Sequence, residues 1–228
     1  MIVVQAGPLG EPAERLLTAL AQRGHPVFER PESAPPDERD VVLAVSDGAF
    51  VLDMAALVRA LVRKSLRVLV LSRLGAHPDA RASSLQRLWR LEEHVRATGL
   101  PSLTLRFGPL VGSETPLWRK LRSRPALPRL ARKLVNPVAE SDAIETLDRA
   151  LAGRAAWEGW YEVAGPDAFT LAELRDLAAA TTGPTGGGAW EPPLEEIAEH
   201  RLAESEPWAS HFGIAPAPVP GVAARGVS

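Results

Sequence analysis

Short apolar runs alternate with longer amphipathic segments along most of this chain. The runs are rich in Val, Ile and Leu, which is typical of strands that are buried on both faces of a parallel sheet. In the first amphipathic segment, Leu16, Leu17 and Leu20 recur at helical spacing. The pattern predicts strands at residues 2–5, 26–29, 41–45, 67–72, 102–107 and 159–163. It predicts helices at residues 12–23, 52–63, 84–98, 143–151, 170–180 and 194–204.

This alternation indicates an α/β protein with a doubly wound, Rossmann-type parallel sheet. Residues 31–39 hold three prolines and no apolar run, so they predict a loop where such a fold has a further helix and strand. The sheet is therefore predicted to lack one edge strand, and its order is predicted as 2-1-4-5-6 with the third strand absent. We divide the chain into a core (residues 1–112), a C-terminal part that completes the sheet and covers a ligand pocket (113–213), and an irregular or disordered tail (214–228).

Composition excludes several classes of protein. The chain has no cysteine, which excludes disulfides, zinc thiolate sites, iron–sulfur clusters and thiol nucleophiles. A net charge of -2 and a pI near 6.2 argue against a nucleic-acid partner. No apolar run could span a bilayer, no signal sequence is visible, and no His or carboxylate spacing resembles a metal site. We expect a cytoplasmic protein without a metal.

The turn after the first strand reads GPLGEPA, with Gly7, Gly10 and Ala13 in a G-x-x-G-x-x-A pattern. Small residues at these positions permit a tight turn, a close approach of backbone to a pyrophosphate, and close packing of helix on strand. The helix N-terminus would supply N–H groups to phosphate. Glu11 places a carboxylate near that position and Pro12 removes one N–H. An ordinary strand–helix turn explains the pattern equally well.

Glu29 and Arg30 stand at the end of the second strand, where such folds read the adenosine ribose. An acid there binds the ribose 2′-hydroxyl, and an arginine accommodates a 2′-phosphate. NAD and NADP therefore both remain open as cofactors, and two solvated surface charges are the plain alternative.

Several segments, taken in order, resemble one family over residues 1 to about 180. They are DVVLAV (40–45), RVLVLSRLGA (67–76), EEHVRATGLPSLTLRFG (92–108), NPVAESDA (136–143) and YEVAGP with FTLAEL (161–174). The chain resembles the atypical short-chain dehydrogenases, both NmrA-like and complex I peripheral-subunit-like, which are related to nucleoside-diphosphate-sugar epimerases. The resemblance implies NAD(P) over Gly7, Gly10 and Ala13, nicotinamide near Gly48, Ser72 and Phe107, and a substrate pocket after residue 112.

The chain lacks the catalytic pair of this family, a tyrosine acid and a lysine four residues later. Its only tyrosine is Tyr161, and Gly165 stands four residues on. Aligning Glu92 with the family's glutamate puts Ser84 and Leu88 at the two positions, and lysines occur only at positions 64, 120 and 133. The pair is absent under any alignment.

Two other residues follow the strand that lines the nicotinamide site in the family. His77 can titrate near neutral pH and so could serve as an acid/base group, and Ser72 could provide a hydroxyl. The alternatives are a loop histidine and a structural strand-end hydroxyl. Tyr161 is expected to be structural.

Seven basic residues and no acid occur between Arg119 and Lys133. They could attract an anionic small-molecule ligand or an acidic partner, or form a solvated lid. The acidic residues at 191–206 could neutralise them within the chain or across a homodimer.

Three functions fit the sequence. The first is an oxidoreductase that transfers hydride without a Tyr–Lys acid, preferably to quinones or flavins. The second is a non-catalytic sensor or assembly protein that binds NAD(P) or a partner, which makes the chain a candidate pseudoenzyme. The third is a non-redox enzyme on a degenerate scaffold. We expect dinucleotide affinity to be weak or lost.

Overall fold

The computed structural model describes residues 2–5, 11–29, 33, 40–46, 65–123, 132–154, 156–182 and 199–219. The first half contains β1 (Ile2–Gln5), α1 (Glu11–Gln22), β2 (Val27–Phe28), β3 (Asp40–Val45), β4 (Ser65–Arg73), α2 (Ser83–Ala97) and β5 (Ser102–Phe107). The second half contains β6 (Leu110–Val111), α3 (Pro116–Arg122), β7 (Leu134–Val135), β8 (Val138–Ala139), α4 (Glu140–Arg149), β9 (Trp160–Val163), β10 (Phe169–Thr170), α5 (Leu171–Thr182) and α6 (Glu206–Phe212). The helix predicted at residues 52–63 lies outside the described residues.

Six strands form one sheet in the order β2-β1-β3-β4-β5-β9, and every pairing in it is parallel. The first five strands stand in the predicted order, and β9 adds a sixth beyond β5. This confirms the α/β class and the parallel sheet. Residues 34–39 lie outside the described ranges, so the absence of a strand there stays a prediction.

The two faces of the sheet bury separate cores. On one face, Leu16, Leu17 and Leu20 of α1 pack with alternate residues of β1, β3, β4 and β5, which confirms the predicted stripe. On the other face, Leu91 and Val95 of α2 pack against the intervening strand residues. The continuous apolar runs of the central strands therefore face two helical layers, as expected for a buried parallel sheet.

A smaller apolar cluster lies beyond the sheet, where α3 packs on α5. Its members include Trp118, Leu121, Leu174 and Ala178. The first turn of α5 is closed by a capping box, in which Thr170 N donates to Glu173 Oε2 (2.7 Å) and Glu173 N donates to Thr170 Oγ1 (3.2 Å). The T-x-x-E spacing of these two residues is the sequence pattern that predicts such a box.

The C-terminal segments differ from the pattern-based expectations. Residues 199–204 do not form the end of the helix predicted at 194–204, because their backbone pairs with β7 instead. Residues 214–218 have no regular structure, but they are packed against the domain. Ala217 N donates to Asp142 Oδ2 (2.7 Å), and Val219 is buried in the α3–α5 cluster.

Two glycines allow the chain to cross itself beside the carboxyl end of the sheet. A Cβ atom on Gly108 would lie 2.1 Å from the carbonyl oxygen of Asn136, and one on Gly165 would lie 2.1 Å from that of Pro137. No side chain fits at either contact. These glycines therefore hold the 136–137 segment between the ends of β5 and β9.

Candidate functional site

The sheet has a topological switch point at β1, whose neighbours are β2 on one side and β3 on the other. In open α/β sheets, ligands bind in the crevice outside the carboxyl ends of the strands at such a point. Here Gln5 ends β1, Val45 ends β3, and Ser46 follows it. The carboxyl ends of β1 and β3 are therefore the edge where this fold class binds its ligands.

Three of the predicted cofactor-binding residues can be placed. Helix α1 begins at Glu11, and Ala13 in its first turn is buried in the same core as Phe107 at the end of β5. Glu29 follows β2 and is exposed. Gly7, Gly10, Arg30 and Gly48 lie outside the described residues, so their roles stay predictions.

Ser72, a predicted catalytic residue, belongs to a buried polar network on the α2 face of the sheet. Its hydroxyl donates to Glu92 Oε1 at 2.5 Å. The guanidinium of Arg106 also binds this carboxylate, with Nε 3.1 Å from both oxygen atoms, and lies over the ring of Trp160 at 4.4 Å. The side chain of Glu92 is fully buried and that of Arg106 nearly so. The hydroxyl of Ser72 is thus engaged inside the protein.

Glu92 served above only as an alignment point, and Arg106 was not among the predicted site residues. The sequence nevertheless contains a signal for this ion pair. Glu92 lies in a predicted helix and Arg106 lies in the next predicted strand, and each of these elements has a buried face. A charge on such a face requires a partner. Searching for opposite charges on adjacent buried elements would have found the pair.

A second carboxyl group, on Glu162, lies opposite Arg106 in the pairing of β5 with β9. Burial raises the pKa of Glu162 above its usual value, and the negative charge of Glu92 raises it further. The positive charge of Arg106 lowers the pKa and offsets part of this rise. Because Arg106 already pairs with Glu92, it compensates Glu162 only partly.

The two positions that align with the family's tyrosine and lysine hold neither a phenol nor a cation. Leu88, at the lysine position, has 0% of its surface exposed and lies in an apolar cluster with Leu85, Ala76, Ala80 and Ala82. Ser84, at the tyrosine position, lies one helical turn earlier and is partly exposed. The alanines of the turn after β4 therefore pack against the part of α2 that aligns with the family's catalytic pair.

His77, the other predicted catalytic residue, lies on that turn with 64% of its side chain exposed. Its Nδ1 accepts a hydrogen bond from Asp79 N at 3.2 Å. Ser72 and His77 therefore share the end of β4, but one is buried in the polar network and the other faces solvent. Their catalytic roles stay predictions.

Tyr161 stacks on His211 of α6, with ring centroids 4.4 Å apart, and contacts Phe212 edge-on. Burial raises the pKa of its hydroxyl, and the negative charge of Glu158 adds to the rise. A phenol with a raised pKa is a poor proton shuttle at neutral pH. This environment agrees with a structural tyrosine.

The basic segment is described only at residues 119–123 and 132–133. Helix α3 carries Arg119, Lys120 and Arg122 in its last turn, where positive charge favours a helix C-terminus. An anionic ligand for the segment stays a prediction. Within the described ranges, no group of three His, Cys, Asp or Glu side chains could hold a metal ion. No helix in those ranges is long and apolar enough to cross a membrane.

No protein-family model matches the sequence, and a search of curated proteins gives no match. Solved structures do match. MoeE5 in complex with UDP-glucuronic acid and NAD is 18% identical, with 98% of this chain and 97% of that chain covered and a TM-score of 0.69. The UDP-glucose 4-epimerase of Thermus thermophilus, in complex with NAD, is 16% identical (99% and 98% covered, TM-score 0.67). The Helicobacter pylori ADP-L-glycero-D-manno-heptose-6-epimerase is 13% identical (98% and 94% covered, TM-score 0.63).

These likenesses show the fold. The chain has the Rossmann-type α/β fold of these NAD-bound structures. This confirms the predicted fold class, and it agrees at the level of the fold with the epimerase-like resemblance of the sequence motifs.

Proposed function

We propose that this chain binds NAD or NADP at the switch point of its sheet and works as a nucleotide-binding protein without Tyr–Lys chemistry. The observation that carries this proposal is Leu88, which is fully buried by apolar neighbours at the position of the family's lysine. A lysine there lowers the pKa of the tyrosine by its charge, and a buried leucine cannot. The chain therefore has the fold of these proteins, but an apolar contact at Leu88 occupies the position of the lysine that assists proton transfer.

The choice of ligand rests on the structural neighbours. MoeE5 and the Thermus thermophilus epimerase both carry NAD, and MoeE5 also carries UDP-glucuronic acid or UDP-glucose. A dinucleotide or a nucleotide sugar presents a diphosphate, which is the chemistry that a helix N-terminus after β1 would bind. The basic segment around α3 would favour the same anionic class of small molecule.

Calorimetric titration with NADH and NADPH tests the proposal. We expect dissociation constants in the high-micromolar range, because Glu11 is the first residue of α1 and a negative charge is unfavourable where a helix N-terminus would bind phosphate. Replacing Glu11 with Gln removes a repulsion of about 1 kcal/mol and should tighten binding about fivefold. Glu14→Gln, an exposed change on the same helix, should leave affinity unchanged.

Two results would contradict this proposal in different ways. A sub-micromolar constant for the wild-type protein would disprove weak binding. An absence of binding in both wild type and Glu11→Gln would disprove dinucleotide binding itself and favour a non-redox function on this scaffold.

A second candidate is hydride transfer to quinones or flavins, with His77 as the acid/base group. It is favoured by the exposure of His77 on the turn after β4. Once an acceptor is found, His77→Ala should lower turnover about a hundredfold or more, the usual worth of a positioned acid/base group. Tyr161→Phe should stay within a few-fold of wild type. The reverse pattern would overturn the assignment, and no turnover with any acceptor would favour the first proposal.

Cytoplasmic location and a homodimer belong to the same proposal. The absence of cysteine fits a reducing compartment, and the acidic stretch at 191–206 complements the basic segment at 119–133. Light scattering at low and high salt tests the dimer, which should weaken as salt screens that attraction.

A further inference from the structure

Residues 199–204, which we call the strap, run without regular structure alongside β7. Arg201 N donates to Leu134 O (2.9 Å) and Asn136 N donates to Arg201 O (3.1 Å), so the strap pairs in parallel with β7. Ala203 N donates to the side-chain oxygen of Asn136 (3.1 Å). One side of the strap is therefore held by backbone hydrogen bonds.

The other side of the strap lies on residues 74–82, which we call the β4 turn. Arg81 N donates to Glu199 Oε1 at 2.5 Å. A Cβ atom on Gly75 would lie 3.1 Å from Cγ and 3.2 Å from Cδ of Arg201, so the arginine stem rests on this glycine. Gly75 has φ +90°, a conformation that favours glycine. The strap thus covers the turn that leaves the carboxyl end of β4.

His200 joins the strap to β7 through an imidazole nitrogen. Leu134 N donates to His200 Nδ1 at 3.1 Å. A ring nitrogen accepts a hydrogen bond only when it carries no proton, so this contact requires unprotonated Nδ1. On the β4 turn, His77 Nδ1 accepts from Asp79 N in the same way. The strap and the β4 turn therefore each contain a hydrogen bond that protonation of the imidazole would break.

The charged side chains on the segments that meet at His200 are of both signs. The cations are Arg132 and Lys133 before β7, Arg81 on the β4 turn and Arg201 on the strap, and the acids are Asp79 on the β4 turn and Glu199 and Glu204 on the strap. Glu173, which caps α5 where β10 pairs with β7, adds a further acid. These charges balance, so an effect of protonation at His200 acts through the hydrogen bond at Nδ1. At His77 the carboxylate of Asp79, 3.8 Å from Nδ1, would partly compensate a proton, so we assign the switch to His200.

We propose that the strap is a pH-sensitive closure over the β4 turn. With His200 neutral, its Nδ1 holds the backbone of β7 and the strap lies closed. Protonation turns this acceptor into a donor, breaks the bond to Leu134 and loosens the strap from β7 and from Gly75. The consequence for ligands, that mild acid uncovers the carboxyl end of β4, rests on the proposed function, whereas the closure itself does not.

Amide hydrogen exchange of the full chain tests the closure without any ligand. The readout is the protection of the Leu134, Arg201 and Ala203 amides between about pH 5.5 and pH 8, after correction for the intrinsic exchange rate at each pH. In wild type, protection should fall about fivefold on acidification, the usual worth of one hydrogen bond. In His200→Asn, whose side-chain oxygen can replace Nδ1 as an acceptor, protection should stay high throughout.

Two further variants complete the test. His200→Ala should show low strap protection at every pH, and His94→Asn, on the exposed face of α2, should behave like wild type. The Val70 amide in β4 serves as the internal reference for global opening. A wild-type strap with constant protection, or an equal pH response in wild type and His200→Asn, would overturn the proposal.

The same samples separate this proposal from the proposed function. Titration with NADH at both ends of the pH range reports on ligand binding alone. If NADH does not bind at either pH, the proposed function fails and the exchange data still decide the closure. If NADH binds but strap protection ignores pH and His200, the closure fails and the proposed function stands.

Discussion

Two consecutive turns of α2 face the sheet with opposite chemistry. Leu88 is sealed among the alanines of the β4 turn, whereas Glu92, four residues later, is 1% exposed and binds both Arg106 and Ser72. In the family that the sequence resembles, the first of these positions carries a catalytic lysine. At that position this helix has an apolar residue, and one turn later it has a buried charge that requires a partner.

The difference lies in what each side chain requires from its surroundings inside the protein. Removing one partner of a buried pair leaves an uncompensated charge, which costs far more than the pair itself contributes. A catalytic lysine has no such internal partner, because its charge serves a ligand. It can be replaced by leucine when packing replaces the ligand contact, and stability then increases with the apolar area buried.

The largest effect is expected from Glu92→Gln. This change removes the carboxylate that binds the buried guanidinium of Arg106 and leaves only Glu162 as a partial counter-charge, so the free energy of unfolding should fall by about 4 kcal/mol in urea denaturation. The matched control is Glu93→Gln, whose carboxylate makes an exposed pair with Arg96 and should contribute no more than about 1 kcal/mol. Equal losses in the two variants would contradict a structural role for the buried pair.

Leu88→Ala tests the apolar turn. A fully buried leucine leaves a cavity when truncated, and we expect a loss of about 3 kcal/mol in the same assay. Arg90→Ala, on the exposed side of the helix, should change stability by no more than about 0.5 kcal/mol. A small loss at Leu88 would mean that this position borders an open ligand site and would weaken the proposed replacement of chemistry by packing.

Ser72→Ala distinguishes a structural hydroxyl from a catalytic one. The hydroxyl donates to the carboxylate of Glu92, and a hydrogen bond to a charged group contributes about 2 kcal/mol. Stability should fall by that amount while NADH affinity stays unchanged. Unchanged stability together with weakened binding would favour the catalytic or cofactor role for Ser72.

Glu162→Gln should have the smallest effect, and its sign depends on pH. The folded protein raises the pKa of Glu162, so it holds this proton more tightly than the unfolded chain does. Wild-type stability should therefore fall as pH rises from the ordinary carboxyl pKa through the raised one. The glutamine variant lacks this loss and should be more stable above that window, by less than about 1 kcal/mol because water screens a half-exposed group.

Below the same window, wild type and Glu162→Gln should have equal stability, because both side chains are then neutral. Glu158→Gln, an exposed change nearby, is the control and should not remove the pH dependence. A variant that is less stable than wild type at neutral pH would show that Arg106 outweighs burial at this carboxyl.

Local and periodic features of this protein could be predicted from sequence alone. The alternation of apolar and amphipathic segments predicted the strand order and the stripe of Leu16, Leu17 and Leu20, and the T-x-x-E spacing predicted the capping box at Thr170 and Glu173. The absence of the Tyr–Lys pair followed from counting residues. Such features depend on spacing along the chain, and spacing decides which side chains share a helix face or a strand face.

The tertiary structure decided which groups meet across long separations in sequence. The hydroxyl of Ser72 binds Glu92 of α2, a contact that no local pattern in the sequence indicates. Residues 199–204 were expected to be helical, but their backbone hydrogen-bonds to β7, which lies more than sixty residues away in sequence. The backbone of a strand end or of a short acidic segment has no strong conformational preference of its own. The groups that the fold brings beside it therefore determine its conformation and its chemistry.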